Sequence, residues 1–242
     1  MSGNDRFAFL TLFIGWLASL GRMPSRTALA SVVTLVSGVV LMLVLHVIPP
    51  TNEISPVRRT LSQYALTSNK WLFDVAVLLI ALGSVLCFVA VVRHRGIAPY
   101  SGPVVLGALW VASLLVIVTF TKTDWTVGPS IGGMVHRYAS VVGFVSLPLA
   151  VIMVANRVFP DRPLWRLAAR GFAAVSLAWF CVILVGVVRM AAGYGQWWTF
   201  VPLGLVERVI ALTAVLAMLT LSLGLARKSR DSVQVGELVS AA

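Results

Sequence analysis

Residues 75–92 read VAVLLIALGSVLCFVAVV, a run without a single charged side chain. Wound as a helix at 1.5 Å per residue, such a run is about 27 Å long, close to the roughly 30 Å of a bilayer's hydrocarbon core. Backbone N–H and C=O groups find no water there, so the segment must close its hydrogen bonds internally, as a helix does. The alternation of a barrel strand is absent. Five further stretches share this character: 27–45, 103–121, 138–156, 171–188 and 209–226. The reading is an all-α polytopic membrane bundle of six transmembrane helices.

The 242-residue composition agrees, with 59% hydrophobic and only 11% charged residues, where soluble domains carry about a quarter charged. The formal charge of +11 lies between the apolar runs and forms no basic block, so it reads as topology and excludes a nucleic-acid footprint. One set of loops holds Arg6, Arg22, Arg26, Arg93, Arg95, Arg157, Arg162, Arg166, Arg170, Arg227, Lys228 and Arg230. The opposite set has fewer: Arg58, Arg59, Lys70, Lys122, Arg137, Arg189 and Arg208. The positive-inside rule then puts both termini in the cytoplasm of a cell whose inner (plasma) membrane the chain crosses. Cys87 and Cys181 fall at different depths, which argues against a disulfide.

Three regions are expected: an N-terminal segment 1–26, a six-helix domain 27–226 and a disordered cytoplasmic tail 227–242. The apolar stretch 7–20 is too short to cross unaided. It fits an interfacial helix, a re-entrant segment, a signal-like h-region, or an extension upstream of a start at Met23. In the first outer loop, Ser55-Pro56 is a helix-start signal, and Val57, Leu61, Tyr64 and Ala65 then draw an apolar stripe. That spacing predicts a short amphipathic helix lying on the outer membrane face. Trp71, Trp125, Trp197 and Trp198 fall at outer ends, as an aromatic belt requires.

The outer ends of the six spans also carry ionisable groups at one level: His46, Asp74, Asp124, His136 with Arg137, Arg189, and Glu207 with Arg208. Facing inwards, such a mixture would make a polar cavity. Charges at helix ends also snorkel to headgroups, which accounts for Arg189, Lys70 and Lys122 without any site. Asp74 suits the positive end of a helix dipole. The candidate ligand-binding set is His46, Asp74, Asp124, His136, Arg137, Glu207 and Arg208. Zinc would need three or four ligands, and His46 and His136 with Asp74 or Asp124 supply a minimal set. No HxxxH, HExxH or CxxC spacing accompanies it, nor does a nucleotide or nucleophile motif, so no cofactor is expected.

The run from His46 through Pro49-Pro50, Asn52 and Ser55, then Ser62-Gln63-Tyr64 and Trp71-Leu72-Phe73-Asp74, resembles the first-loop signature of domain-of-unknown-function family 998. Thr123-Asp124, Gly133 with His136, and Glu207-Arg208 agree with it, and the likeness covers about 27–226. It implies a multi-spanning fold in bacterial or archaeal membranes and no particular activity. The first loop is also faintly similar to Frag1-type proteins. A weaker likeness is to alkaline-ceramidase-like zinc hydrolases, whose three histidines this chain lacks on the relevant side, because His94 sits among cytoplasmic arginines. The leading expectation is an outer-side polar pocket for a lipid headgroup or small polar ligand, with membrane lipids as partners. A metal-assisted hydrolase or transferase on an outer-leaflet lipid and a non-catalytic scaffold or accessory subunit stand beside it.

Overall fold

The computed structural model describes residues 24–240, so the expectations for the stretch 7–20 lie outside the described residues. Six long helices follow one another: α1 Pro24–Val44, α2 Lys70–Arg95, α3 Gly102–Thr119, α4 Ile131–Val158, α5 Pro163–Ala191 and α6 Leu203–Ser240. All six are long and apolar enough to cross a membrane, and the chain is an integral multi-pass membrane protein. Five of the six helices outrun their uncharged stretches, whereas α3 stops at Thr119, short of residue 121, because local signals set helix ends. Pro103 and Pro163 occupy first-turn positions of α3 and α5, where the missing N–H costs nothing. Ser130 caps α4 by accepting the Gly133 N–H at 3.0 Å. Gly96, with φ +57°, ends α2 in the left-handed conformation. Pro148 lies inside α4, which stays continuous around it. Helical backbone in α6 continues to Ser240, with no proline after Ala226 to interrupt it.

Each helix packs on its chain neighbour, and α6 closes the bundle against α1, α2, α4 and α5. Helices α2 and α6 are the most enclosed, whereas α1 and α5 turn most of their surface outwards. Small residues let the backbones approach, as is usual where lipid tails are as apolar as the side chains. A Cβ on Gly38 of α1 would stand 2.7 Å from Ile80 Cγ1 and 2.9 Å from the Ala76 carbonyl of α2. Gly83 meets Leu35 and Thr34 in the same way, and Gly143 meets Trp110 and Ser113. Hydroxyls add polar ties: Ser31 donates to the Gly83 carbonyl at 2.7 Å and accepts from Ser222 at 2.9 Å. Trp110 Nε1 donates to Ser84 Oγ at 3.0 Å. Both cysteines are free thiols, Cys87 buried and Cys181 exposed.

The segment between α1 and α2 departs from its sequence reading. It contains two short 3₁₀ turns, Thr51–Glu53 and Leu61–Leu66, and no amphipathic α-helix. Val57 is exposed while Tyr64 and Ala65 are buried, so the expected apolar stripe does not form one membrane-facing stripe. The reason is tertiary: partners on α6 take the loop's backbone groups that an α-helix would have used internally.

The close α1–α2 contact is testable. Gly38→Ala is expected to destabilise by about 1–3 kcal/mol through overpacking, which at this chain length lowers Tm by about 2–4 °C per kcal/mol. Thermal unfolding in detergent measures it, and an unchanged Tm would contradict the packing described.

Candidate functional site

Antiparallel succession brings one end of every helix to the level of the α1–α2 loop, and most of the candidate residues gather there. Arg208, in the second turn of α6, is the hub. Its Nη1 donates to the carbonyls of Pro56 and Arg59 at 2.8 Å each and of Gly204 at 3.0 Å. Its Nη2 donates to Tyr64 Oη at 2.9 Å and its Nε to His46 Nε2 at 2.9 Å. The guanidinium fork suits this task, being planar, always charged and rich in donors.

His46 is fixed by the same geometry. Its Nδ1 lies 2.7 Å from the Met42 carbonyl, one turn back. A carbonyl only accepts, so Nδ1 carries the proton and Nε2 presents a lone pair to Arg208. The imidazole stands edge-on to the fully buried Tyr64 ring, 5.4 Å between centroids. Glu207, the neighbour of Arg208, takes the other side of the loop: its Oε2 accepts the Leu61 N–H at 2.8 Å. The Leu205 N–H, an orphan donor of the first turn of α6, reaches the Val57 carbonyl at 3.0 Å. Gly204 makes the fit sterically feasible, because a Cβ there would collide with the carbonyls of Arg59 and Pro56.

The other candidates sit elsewhere at this end. Asp74 pairs with Lys70 one turn earlier, Nζ to Oδ2 at 2.6 Å. Its Oδ1 is buried with no hydrogen-bond partner among the described residues. Lys70 also reaches the Val118 carbonyl at 3.4 Å. The buried His136 donates from Nδ1 to the Phe120 carbonyl, 2.7 Å away, tying the start of α4 to the end of α3. Close by, Gly133 leaves room for Thr123, which a Cβ would strike. Asp124 organises the α3–α4 loop: its Oδ1 accepts from Thr126 N at 3.0 Å and Thr126 Oγ1 at 2.7 Å. Those two bonds hold its carboxyl below the ordinary range. Arg137 is exposed, its guanidinium 5.8 Å from the centre of the Trp125 ring.

Lys122 bridges the two loops, donating to Thr60 Oγ1 at 2.8 Å and Gln63 Oε1 at 3.0 Å. Desolvation lowers its pKa, and the Glu207 carboxylate opposes that shift. Between the loops lies an open cleft of about 350 Å³, lined by Glu53–Ser55, Arg59, Gln63, Leu66 and residues 123–126. Of the sequence-based candidates only Asp124 lines it. Among the described residues, no group of three His, Cys, Asp or Glu side chains is placed to hold a metal ion.

A family model described as a protein of unknown function (DUF998) matches residues 35–224. The chain belongs to that family. No curated protein and no solved structure matches it. The matched stretch of this DUF998 chain contains both loops, the cleft and the Arg208 hub. Reading helix ends alone finds the hub of the DUF998 chain but passes over the cleft, whose charged lining comes from loops. One signal was present in Ser62-Gln63-Tyr64, which the family likeness had drawn out as part of a loop signature. Another was Gly204, a glycine one helical turn before Arg208.

If α6 fastens the loop, Arg208→Ala and Gly204→Ala both loosen it. Deuterium uptake at residues 56–61 is expected to rise about tenfold in rate, each lost charged hydrogen bond being worth about 1.5–3 kcal/mol, with helix-core amides unchanged. Uptake equal to the parent's in both variants would show that the loop is held by something else.

Proposed function

We propose that this protein spans the bacterial inner membrane with both termini in the cytoplasm. In this reading the inter-loop cleft opens on the outer side and binds a lipid headgroup or another small polar ligand. The observation that carries the reading is a polar cleft of headgroup size, about 350 Å³, whose one wall is a loop held by the hydrogen bonds of Arg208 and Glu207. Ligand sites are commonly concave and largely pre-formed, and a wall pinned at several points loses little freedom on binding. The sequence-based set then divides its labour. His46, Glu207 and Arg208 hold the wall, His136 ties α4 to the end of α3, Asp74 pairs with Lys70 within α2, Asp124 lines the cleft, and Arg137 lies outside it over the Trp125 ring.

The hydrolase alternative has less to support it, because both nitrogens of His46 are engaged, one by the Met42 carbonyl and one by Arg208. His136 spends Nδ1 on a carbonyl. A metal would have to displace Arg208 to reach His46 Nε2. Under the scaffold alternative Gly38, Gly83 and Gly143 are packing contacts, which they are within this chain, and co-purification of a partner chain would favour it.

Native mass spectrometry of the whole chain released from mixed-lipid nanodiscs tests the reading. The parent is expected to retain lipid, and Arg208→Ala to lose most of it; Arg59→Gln, an exposed change on the cleft wall that should leave folding intact, should do the same. Lipid retention unchanged in both variants would overturn the cleft as the site. Topology is checked separately with a reporter that is active only in the cytoplasm, joined after Ala242, where activity is expected.

A further inference from the structure

The cleft is bordered by charges of both signs that have not neutralised one another. Glu53 and Arg59 are exposed at its edge, and neither side chain makes a hydrogen bond or ion pair among the described residues. Asp124 spends Oδ1 on Thr126, and its Oδ2 takes no hydrogen bond among the described residues. Gln63 is oriented by Lys122, whose ammonium takes the amide oxygen at 3.0 Å. Its NH₂ group is left with two N–H donors and no protein acceptor among the described residues. Trp125 completes the lining with an aromatic ring that already attracts a cation, the Arg137 guanidinium.

These groups sort by what they can recognise. A guanidinium and an amide N–H favour an anionic oxygen. Two carboxylates and an indole face favour an ammonium. A ligand with only one sign of charge would satisfy one half of the lining and be repelled by the other. We infer that the cleft takes a zwitterion, a phosphodiester carrying an ammonium group, with Arg59 and Gln63 on the phosphate and Glu53, Asp124 and Trp125 on the ammonium. This rests on the ligand-binding reading above and narrows it to one chemical class. The volume suits a headgroup, lying at the lower end of the roughly 300–1,000 Å³ typical of small-molecule sites. The lowered Asp124 pKa keeps that carboxylate charged through neutral and mildly acidic conditions.

The same chemistry could arrive as a membrane lipid or as a water-soluble headgroup, and two arms separate them. In the first, the full chain is released from nanodiscs of equal phosphatidylethanolamine and phosphatidylglycerol, and the retained lipid is identified by native mass spectrometry. In the second, glycerophosphoethanolamine is titrated into the protein in nanodiscs of phosphatidylglycerol alone. The parent is expected to enrich the amine-bearing lipid at least threefold, or to bind the soluble headgroup, either result supporting the zwitterion. Glu53→Gln with Asp124→Asn should abolish that preference while keeping lipid retention, and Arg59→Gln should weaken retention about tenfold, the worth of one charged hydrogen bond. Equal or greater retention of phosphatidylglycerol by the parent, with no binding of the soluble headgroup, overturns the zwitterion and leaves the binding cleft standing. No retention of either lipid and no titration overturns both.

Discussion

A guanidinium placed near the membrane surface of a helix bundle must find acceptors or face water, and Arg208 finds five. Two are loop carbonyls, one is the carbonyl of Gly204 on its own helix, one is the Tyr64 hydroxyl and one is the His46 imidazole. With Glu207 taking a backbone N–H from the same loop, a pair of adjacent residues on α6 addresses both the acceptors and a donor of a segment about 150 positions earlier in the chain. The loop's path, its short 3₁₀ turns and the buried Tyr64 all follow from that attachment. So does the position of the cleft, since the loop forms one of its walls.

The division between fastening and exposure is chemical. His46, just past the end of α1, and His136, Glu207 and Arg208 on the helices have partners that tie one element to another, while Asp74 pairs with Lys70 within α2. The cleft's charges, Glu53, Arg59 and Asp124, come from loops and keep capacity to spare. Rigid elements spend their polar groups on each other, and loops present theirs outwards. Lys122 joins the two systems, because its ammonium orients Gln63 in the cleft while sitting in the field of Glu207.

The helices were legible in the sequence because lipid leaves the backbone one economical answer, and uncharged length is enough to reveal it. Their ends were less legible. Asp74 reads from sequence as an acid at the positive end of a helix dipole; with the helix beginning at Lys70, it is also half of an i,i+4 ion pair. The loop departs from its local pattern for a different reason. Its periodicity from Val57 to Ala65 is genuinely helical, but the carbonyls of Pro56, Val57 and Arg59 and the N–H of Leu61 are claimed by α6. No local pattern announces a partner so distant in the chain. Spacing along the chain puts these ionisable residues near the ends of the spans. Which of them turn towards a partner and which towards a cavity depends on rotation about each helix axis, and spacing alone does not carry that.

The hydrogen bond between Ser31 and Ser222 joins residues 191 positions apart, and it has a consequence for biosynthesis. At a translation rate of about 5–20 residues per second, the first span waits roughly 10–40 s before its hydroxyl's donor is made. The His46 imidazole waits similarly for Arg208. During that interval α1 can already pack on α2 through Gly38, Gly83 and the Ser31 hydrogen bond to the Gly83 carbonyl, and the ties to Ser222 and Arg208 form only once α6 has been made.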